Sequence, residues 1–150
     1  KVHCLNLNKR NVIRSLYIAR KISKDRDIIN NWLYHSDLFG FVIAKILLRK
    51  KLIWNIRHSN LDMDANKAST LKVVNINSKL SKFVNLITYN SNKALETHEL
   101  TGYSSKNPVV IPNGFELDQF KYNPEARLKI RKQLELGKEK VIQRIQSLLD

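Results

Sequence analysis

The chain is predicted to be an α/β protein with a Rossmann-like parallel sheet flanked by helices and a helical C-terminal tail. Three observations predict it. Short β-branched runs alternate with longer segments whose apolar residues recur every three or four positions, the signature of βαβ units. Hydrophobic residues make up 43% of the 150 residues, enough for one core and too many for a disordered chain. With only 4 Gly and 3 Pro, the chain lacks the tight turns of a many-stranded β-sandwich.

The elements follow in order. Val2-His3-Cys4-Leu5-Asn6-Leu7 alternates and predicts a strand. Residues 11–22 place Val12, Leu16, Ala19 and Ile22 on one helical stripe. Residues 27–32 form a short β-like run. Ser36 then suits a helix N-cap, with Asp37 in the first turn where the dipole favours an acid. The helix after it carries Phe39, Val42, Ile43, Ile46 and Leu47 on one stripe and ends in Arg49, Lys50 and Lys51. A strand over 52–57 and a polar loop to residue 66 follow. Val73, Ile76, Leu80 and Phe83 mark a further helix, and 84–89 a strand. Ser91 caps a short helix that Gly102 ends as a C′ residue. Val109-Val110-Ile111 is the last strand, and Pro112-Asn113-Gly114 a turn in which Gly114 can take a positive φ. Pro124 opens a helix over 125–136 with Leu128, Ile130 and Leu134, and 138–150 has the spacing of another. These changes divide the chain into a partial domain over 1–111, a linker over 112–123 and a tail over 124–150.

Lys and Arg number 27 against 13 Asp and Glu, a net charge of +14 that favours polyanions, anionic lipid or phosphate-bearing ligands. The charge is spread along the chain, as on a solvated surface. Its densest cluster is Arg49-Lys50-Lys51, with Lys45 one helical turn earlier. Cys4 is the one cysteine, so no internal disulfide forms and a reducing compartment is expected. No run approaches the roughly 18 apolar residues of a membrane span. The four histidines lack metal-ligand spacing, so no metal is expected, and Walker and GxGxxG loops are absent. No helix-turn-helix, zinc-finger or RNA-recognition signature accompanies the charge, so nucleic acid is not an expected partner.

Three constellations fall just past predicted strands, at the sheet edge where open α/β folds bind ligands. The first is Trp32-Leu33-Tyr34-His35-Ser36-Asp37, where a helix start offers free N–H groups and His35 can move a proton near neutral pH. Read alone, a His in such a loop is structural more often than functional. The second is Trp54-Asn55-Ile56-Arg57-His58-Ser59. There Arg57 suits a bidentate phosphate or carboxylate contact, and a solvated loop charge fits equally. The third is Thr88-Tyr89-Asn90-Ser91, whose simplest reading is an N-cap.

The run Val110-Ile111-Pro112-Asn113-Gly114-Phe115-Glu116-Leu117-Asp118-Gln119-Phe120 resembles the interdomain junction of the family 4 retaining glycosyltransferases of GT-B architecture. The Asp27-Ile28-Ile29 strand leading to His35, the Ile56-Arg57-His58-Ser59 run and Ser91 resemble further family elements in the family's order. The resemblance covers roughly residues 27–136. It implies part of an N-terminal domain plus linker, from an enzyme of polysaccharide biosynthesis that moves a sugar from a nucleotide-sugar donor to a glycan or lipid-linked acceptor. His35 would be catalytic in the cleft, Arg57, His58 and Ser91 would bind the acceptor side, and Asn113 and Gly114 would form the hinge. It implies no cofactor beyond that donor, and a cytoplasmic location peripheral to the inner face of the plasma membrane, where Arg49-Lys50-Lys51 would meet anionic lipid.

The family's Gly-rich first loop and its two glutamates eight apart are missing from this sequence. The donor site is therefore expected to lie outside it. The alternative is a basic α/β module that docks a polyanion or a protein. A third reading is an inactive product that self-associates through open sheet edges.

Overall fold

Four short parallel strands carry the fold. The computed structural model describes residues 2–5, 7, 10–104, 107–114, 116, 118 and 121–137. It divides into two compact units, Lys1–Pro112 and Asn113–Asp150. The first contains α1 (Val12–Ser23), β1 (Ile28–Trp32), α2 (Tyr34–Phe41), β2 (Lys51–Ile56), α3 (Ala68–Leu80), β3 (Leu86–Tyr89), α4 (Asn92–Leu100) and β4 (Pro108–Val110). The strands lie in the order β1-β2-β3-β4, each parallel to the next. This is the α/β, Rossmann-like sheet that the alternating pattern predicts.

Period two along each strand sorts the side chains onto two faces. Leu52, Trp54 and Ile56 of β2 and Ile87 and Tyr89 of β3 point to one face and are buried. They form one core with Tyr34 and Phe41 of α2, Val74 of α3, Ala94 of α4 and Tyr103. All three crossover helices therefore cover the same face, as successive right-handed crossovers in one direction require. Gly40 lies against Asn31 so closely that a Cβ there would fall 1.6 Å from the Asn31 amide. Asn31 uses this space to donate from Nδ2 to the Ser36 carbonyl at 2.7 Å.

The opposite face carries Ile28, Asn30 and Trp32 of β1, Ile53 and Asn55 of β2, Leu86 and Thr88 of β3 and Val109 of β4, placed together by the register. Three polar side chains cross it as a ladder. Asn55 donates to Asn30 Oδ1 and, at 2.8 Å, to the Asn31 carbonyl, and Thr88 donates to Asn55 Oδ1 at 2.7 Å. Ile28, Trp32 and Val109 remain exposed on this face.

Several helix ends follow from local chemistry. Ser91 Oγ accepts from the Ala94 N–H at 3.1 Å and caps α4. Gly102, at φ +93°, ends α4 in a Schellman motif: Gly102 N donates to Glu99 O at 2.9 Å and Tyr103 N to His98 O at 3.0 Å. Lys45 Nζ donates to Asn85 Oδ1 at 2.6 Å, and the same oxygen accepts from Leu52 N at 3.0 Å, pinning the start of β2 to the loop before β3.

The structure departs from the sequence reading at five places. The described part of 2–7 holds no strand. Helix α1 buries Ser15 and Ala19, while Val12 and Ile22 lie outside. Helix α2 starts at Tyr34, so Ser36 is inside it and not its cap. The α2 stripe fails because Phe41 runs into a π-helical turn, Val42–Leu47, closed by Leu48 N to Ile43 O at 3.0 Å. The wider turn shifts the phase, so Phe41, Ile43 and Ala44 are buried while Ile46 and Leu47 face outward. In α3 the inward face is Val74, Asn77 and Ser78 rather than Ile76, because polar side chains there bond to backbone: Asn77 Nδ2 donates to Tyr34 O at 2.9 Å.

In the second unit, Asn123 Oδ1 accepts from the N–H groups of Glu125 and Ala126 at 2.9 and 3.2 Å, with Pro124 between, ahead of α5 (Ala126–Gln133). Leu128, Ile130 and Leu134 are exposed. Gly102 is the described glycine with a positive φ; the positive φ expected at Gly114 is not found, and residues 111–114 form no turn. Phe115, Phe120 and the helix expected over 138–150 lie outside the described residues.

Candidate functional site

A cavity of about 240 Å³ opens at the carboxyl ends of β1 and β2. Tyr34 and Asp37 of α2, Asn55 at the end of β2, Arg57 and His58 just beyond it, and Thr70 in the first turn of α3 line it. Leu33 and Ile56 supply apolar wall, and Asn66 closes the loop side, held by Nδ2 donating to the carbonyls of Asn60 and Asp62 at 2.9 and 3.0 Å. Short parallel strands end here while the helices that follow begin, so backbone turns and first helical turns converge on one point.

Leu33 makes the sharp entry to α2. Its φ of 75° and ψ of 142° are rare for a residue with a Cβ, and its carbonyl accepts from Asp37 N at 2.8 Å. That turn drives the Asp37 side chain inward. Asp37 is only 1% exposed, and neither carboxylate oxygen has a hydrogen-bond partner. Burial alone pushes its pKa up from 3.8 to about 8, so it holds a proton at neutral pH. His58 Nε2 is likewise buried without a partner, while the ring meets Tyr34 edge-on with centroids 6.4 Å apart.

Beneath the cavity lies an aromatic, hydrogen-bonded floor. His98 is fully buried, and its Nδ1 lies 2.7 Å from the Ala94 carbonyl. A carbonyl can only accept, so Nδ1 carries the proton and Nε2 accepts from the Tyr34 hydroxyl at 2.8 Å. Burial lowers the His98 pKa from 6.5 to about 4; the Ala94 hydrogen bond opposes this and His58 adds to it. Tyr34, Tyr89 and Tyr103 are all pushed above the usual tyrosine range, chiefly by burial. The floor is therefore uncharged around neutral pH, and Asp37 is the one buried carboxyl beside it among the described residues.

The residues that the sequence singles out are only partly gathered here. Arg57 and His58 line the cavity, and the Arg57 guanidinium also stacks 4.6 Å above the Trp32 ring. His35 is exposed in the first turn of α2 and is not among the lining residues. Ser91 is engaged as the cap of α4 and does not line the cavity. Asn113 and Gly114 are exposed at the start of the second unit. Sequence reasoning missed Tyr34, Asp37 and Thr70 as lining residues. The available signal was an acid two residues past a His within an otherwise apolar helix.

Among the described residues no cluster of three or more His, Cys, Asp or Glu side chains could hold a metal. No described helix is long and apolar enough to cross a membrane.

No protein-family profile matches the sequence, and no curated protein matches it. The fold does match solved structures of Alr3699/HepE from Anabaena. The UDP complex superposes with a TM-score of 0.63 at 23% identity over 81% of this chain. The UDP-glucose complex gives 0.65 at 19% over 85%, and the complex with UDP and glucose 0.63 at 21% over 85%. The chain spans 32–34% of the length of that protein. At this identity the likeness concerns the fold.

Proposed function

We propose that the chain forms the acceptor-side part of a glycosyltransferase of GT-B type, similar to family 4, that moves a sugar from a nucleotide-sugar donor to a glycan or lipid-linked acceptor. The observation that carries this reading is the fold shared with a protein solved in complex with UDP-glucose, over 85% of this chain. The cavity at the carboxyl ends of β1 and β2 supports it, because ligands of open α/β sheets bind at that edge. In retaining transfer the dominant demand is stabilising the leaving diphosphate. This chain lacks the paired glutamates expected of a donor site. Its own contribution is to hold the acceptor: Arg57 and His58 reach it from the wall, and the Leu33–Asp37 turn shapes the opening. His35, exposed beside that opening, remains the proposed catalytic histidine, Ser91 orders the next helix start, and Asn113 and Gly114 serve as hinge. No metal enters the reading. The basic end of the α2 crossover, at Arg49, Lys50 and Lys51, would rest on anionic lipid at the inner face of the plasma membrane.

The test is a binding screen on this chain with immobilised glycans, UDP- and GDP-linked sugars, and duplex DNA. Glycan binding without donor binding is the expected result. A folded chain that binds no glycan overturns the reading. DNA binding whose affinity falls steeply with salt would instead assign the +14 charge to polyanion docking.

A further inference from the structure

Asp37 is out of place by every ordinary rule for a buried acid. A carboxyl hidden from water is expected to be paired or fully hydrogen-bonded. Asp37 is 1% exposed, has no partner on either oxygen, and lines a cavity. His58 brings a second buried, unpartnered polar atom to the same cavity. Two orphaned groups on residues that line one cavity are the arrangement expected where a ligand completes the hydrogen bonds.

The chemistry of the lining selects among ligands. A cation would meet Arg57, and an anionic group, which only accepts, would leave the acceptor oxygen of the proton-bearing Asp37 without a donor. A neutral hydroxyl-bearing ring meets neither penalty. Its C–H faces would pack on Leu33, Ile56 and the Tyr34 ring, and its hydroxyls would reach the polar groups. The volume, about 240 Å³, lies below the roughly 300–1,000 Å³ of drug-sized sites and suits one ring rather than a chain.

We propose that this cavity binds a single neutral sugar ring and that Asp37 and His58 are the groups that read its hydroxyls. The identification of the ring as a sugar rests on the acceptor-side reading above. In its proton-bearing form Asp37 donates one hydrogen bond and accepts another, which matches a hydroxyl pair. Ionised, it can only accept, and it loses the donor that pairs with one of the two hydroxyls. Binding therefore weakens as Asp37 loses its proton. The groups facing it from neighbouring elements do not produce that step. Tyr34, Tyr89 and Tyr103 are shifted upward and His98 downward, away from pH 7–9. Arg57 keeps its charge throughout. His58 is controlled by substitution.

The experiment is an amide-resolved NMR titration of the whole chain with glucose, with glucuronate and glucosamine as charged probes, at pH 7 and pH 9. Glucose should shift amides around 33–37 and 55–58. Its affinity should be about tenfold lower at pH 9, the change in proton-bearing fraction for a group titrating near 8. Asp37→Asn should keep binding and lose the pH step, His58→Gln should weaken binding and keep the step, and Asp37→Leu should abolish binding in a folded chain. Shifts elsewhere, equal affinity at both pH values, preference for a charged probe, or no shifts from a folded chain would each overturn the proposal. Glycan binding that survives Asp37→Leu would defeat this inference and leave the acceptor reading standing. Glucose in the cavity with a negative glycan screen would do the reverse.

Discussion

Two tryptophans one strand apart live in opposite surroundings. Trp54 of β2 is fully buried among Phe41, Tyr103 and the aliphatic core, whereas Trp32 of β1 is 47% exposed on the other side of the same sheet. Strands of parallel sheets are ordinarily covered on both faces. Here α2, α3 and α4 cover one, and the other presents Ile28, Trp32 and Val109 around an amide ladder. The difference teaches that apolar content in a strand does not reveal which of its residues hold the fold together. Both faces are written in core-type residues, but only one does that work among the described elements.

The comparison breaks first if Trp54 proves dispensable. Trp54→Ala should cost about 3–5 kcal/mol in denaturant unfolding, the usual range for emptying a large aromatic site. Trp54→Phe should cost much less, since it keeps most of the bulk and removes an Nε1–H that has no partner. Next comes Asp37, on the covered side. A carboxyl whose pKa is raised on folding contributes stability fully present below its unfolded pKa and lost as pH rises through its folded one. From Asp37 that window runs from about 3.8 to about 8. Asp37→Asn, which lacks this loss, should exceed the wild type by about 2–4 kcal/mol near pH 8 and by little near pH 4. His98 acts with the opposite sign, its lowered pKa removing stability as pH falls from 6.5 towards 4. The two windows overlap between about pH 4 and 6.5, where the effects oppose each other, so in a pH-resolved melting series Asp37 acts by itself between about pH 6.5 and 8.

On the open face the effects should shrink. Asn55→Ala breaks bonds to Asn30, Asn31 and Thr88 and should cost about 1 kcal/mol. Trp32→Ala should change stability by no more than about 0.5 kcal/mol by the same assay, although it removes the surface on which Arg57 stacks. A loss at Trp32 approaching that at Trp54 would mean that the open face is covered in solution.

Much of the sheet was legible in the sequence, because period two and period 3.6 are backbone properties that survive in any context. Strand β2, β3 with Ser91 after it, and Gly102 ending α4 were readable for that reason. The inward residues of the helices were not. In α2 a π-helical turn changed the period midway, and in α3 Asn77 and Ser78 face inward because they bond to backbone. The site was legible as a place and less so as a set of side chains. Arg57 and His58 follow a strand end directly, which sequence spacing reveals. Asp37 enters the cavity only through the Leu33 turn, a backbone conformation that a leucine does not advertise.

The π-helical turn at Val42–Leu47 has a consequence for chain length. A π turn holds one residue more than an α-helical path over the same span. The stretch between Phe41 and Lys51 is thus a reserve of one position, in a segment that buries Ile43 and Ala44 and turns Ile46 outward. Deleting one residue there can be absorbed by reverting to a regular turn, leaving Leu52 in register with Ile29 and the strands undisturbed. The crossover tolerates a change in the reading of its length that the neighbouring Leu33 turn, built on a single strained residue, does not.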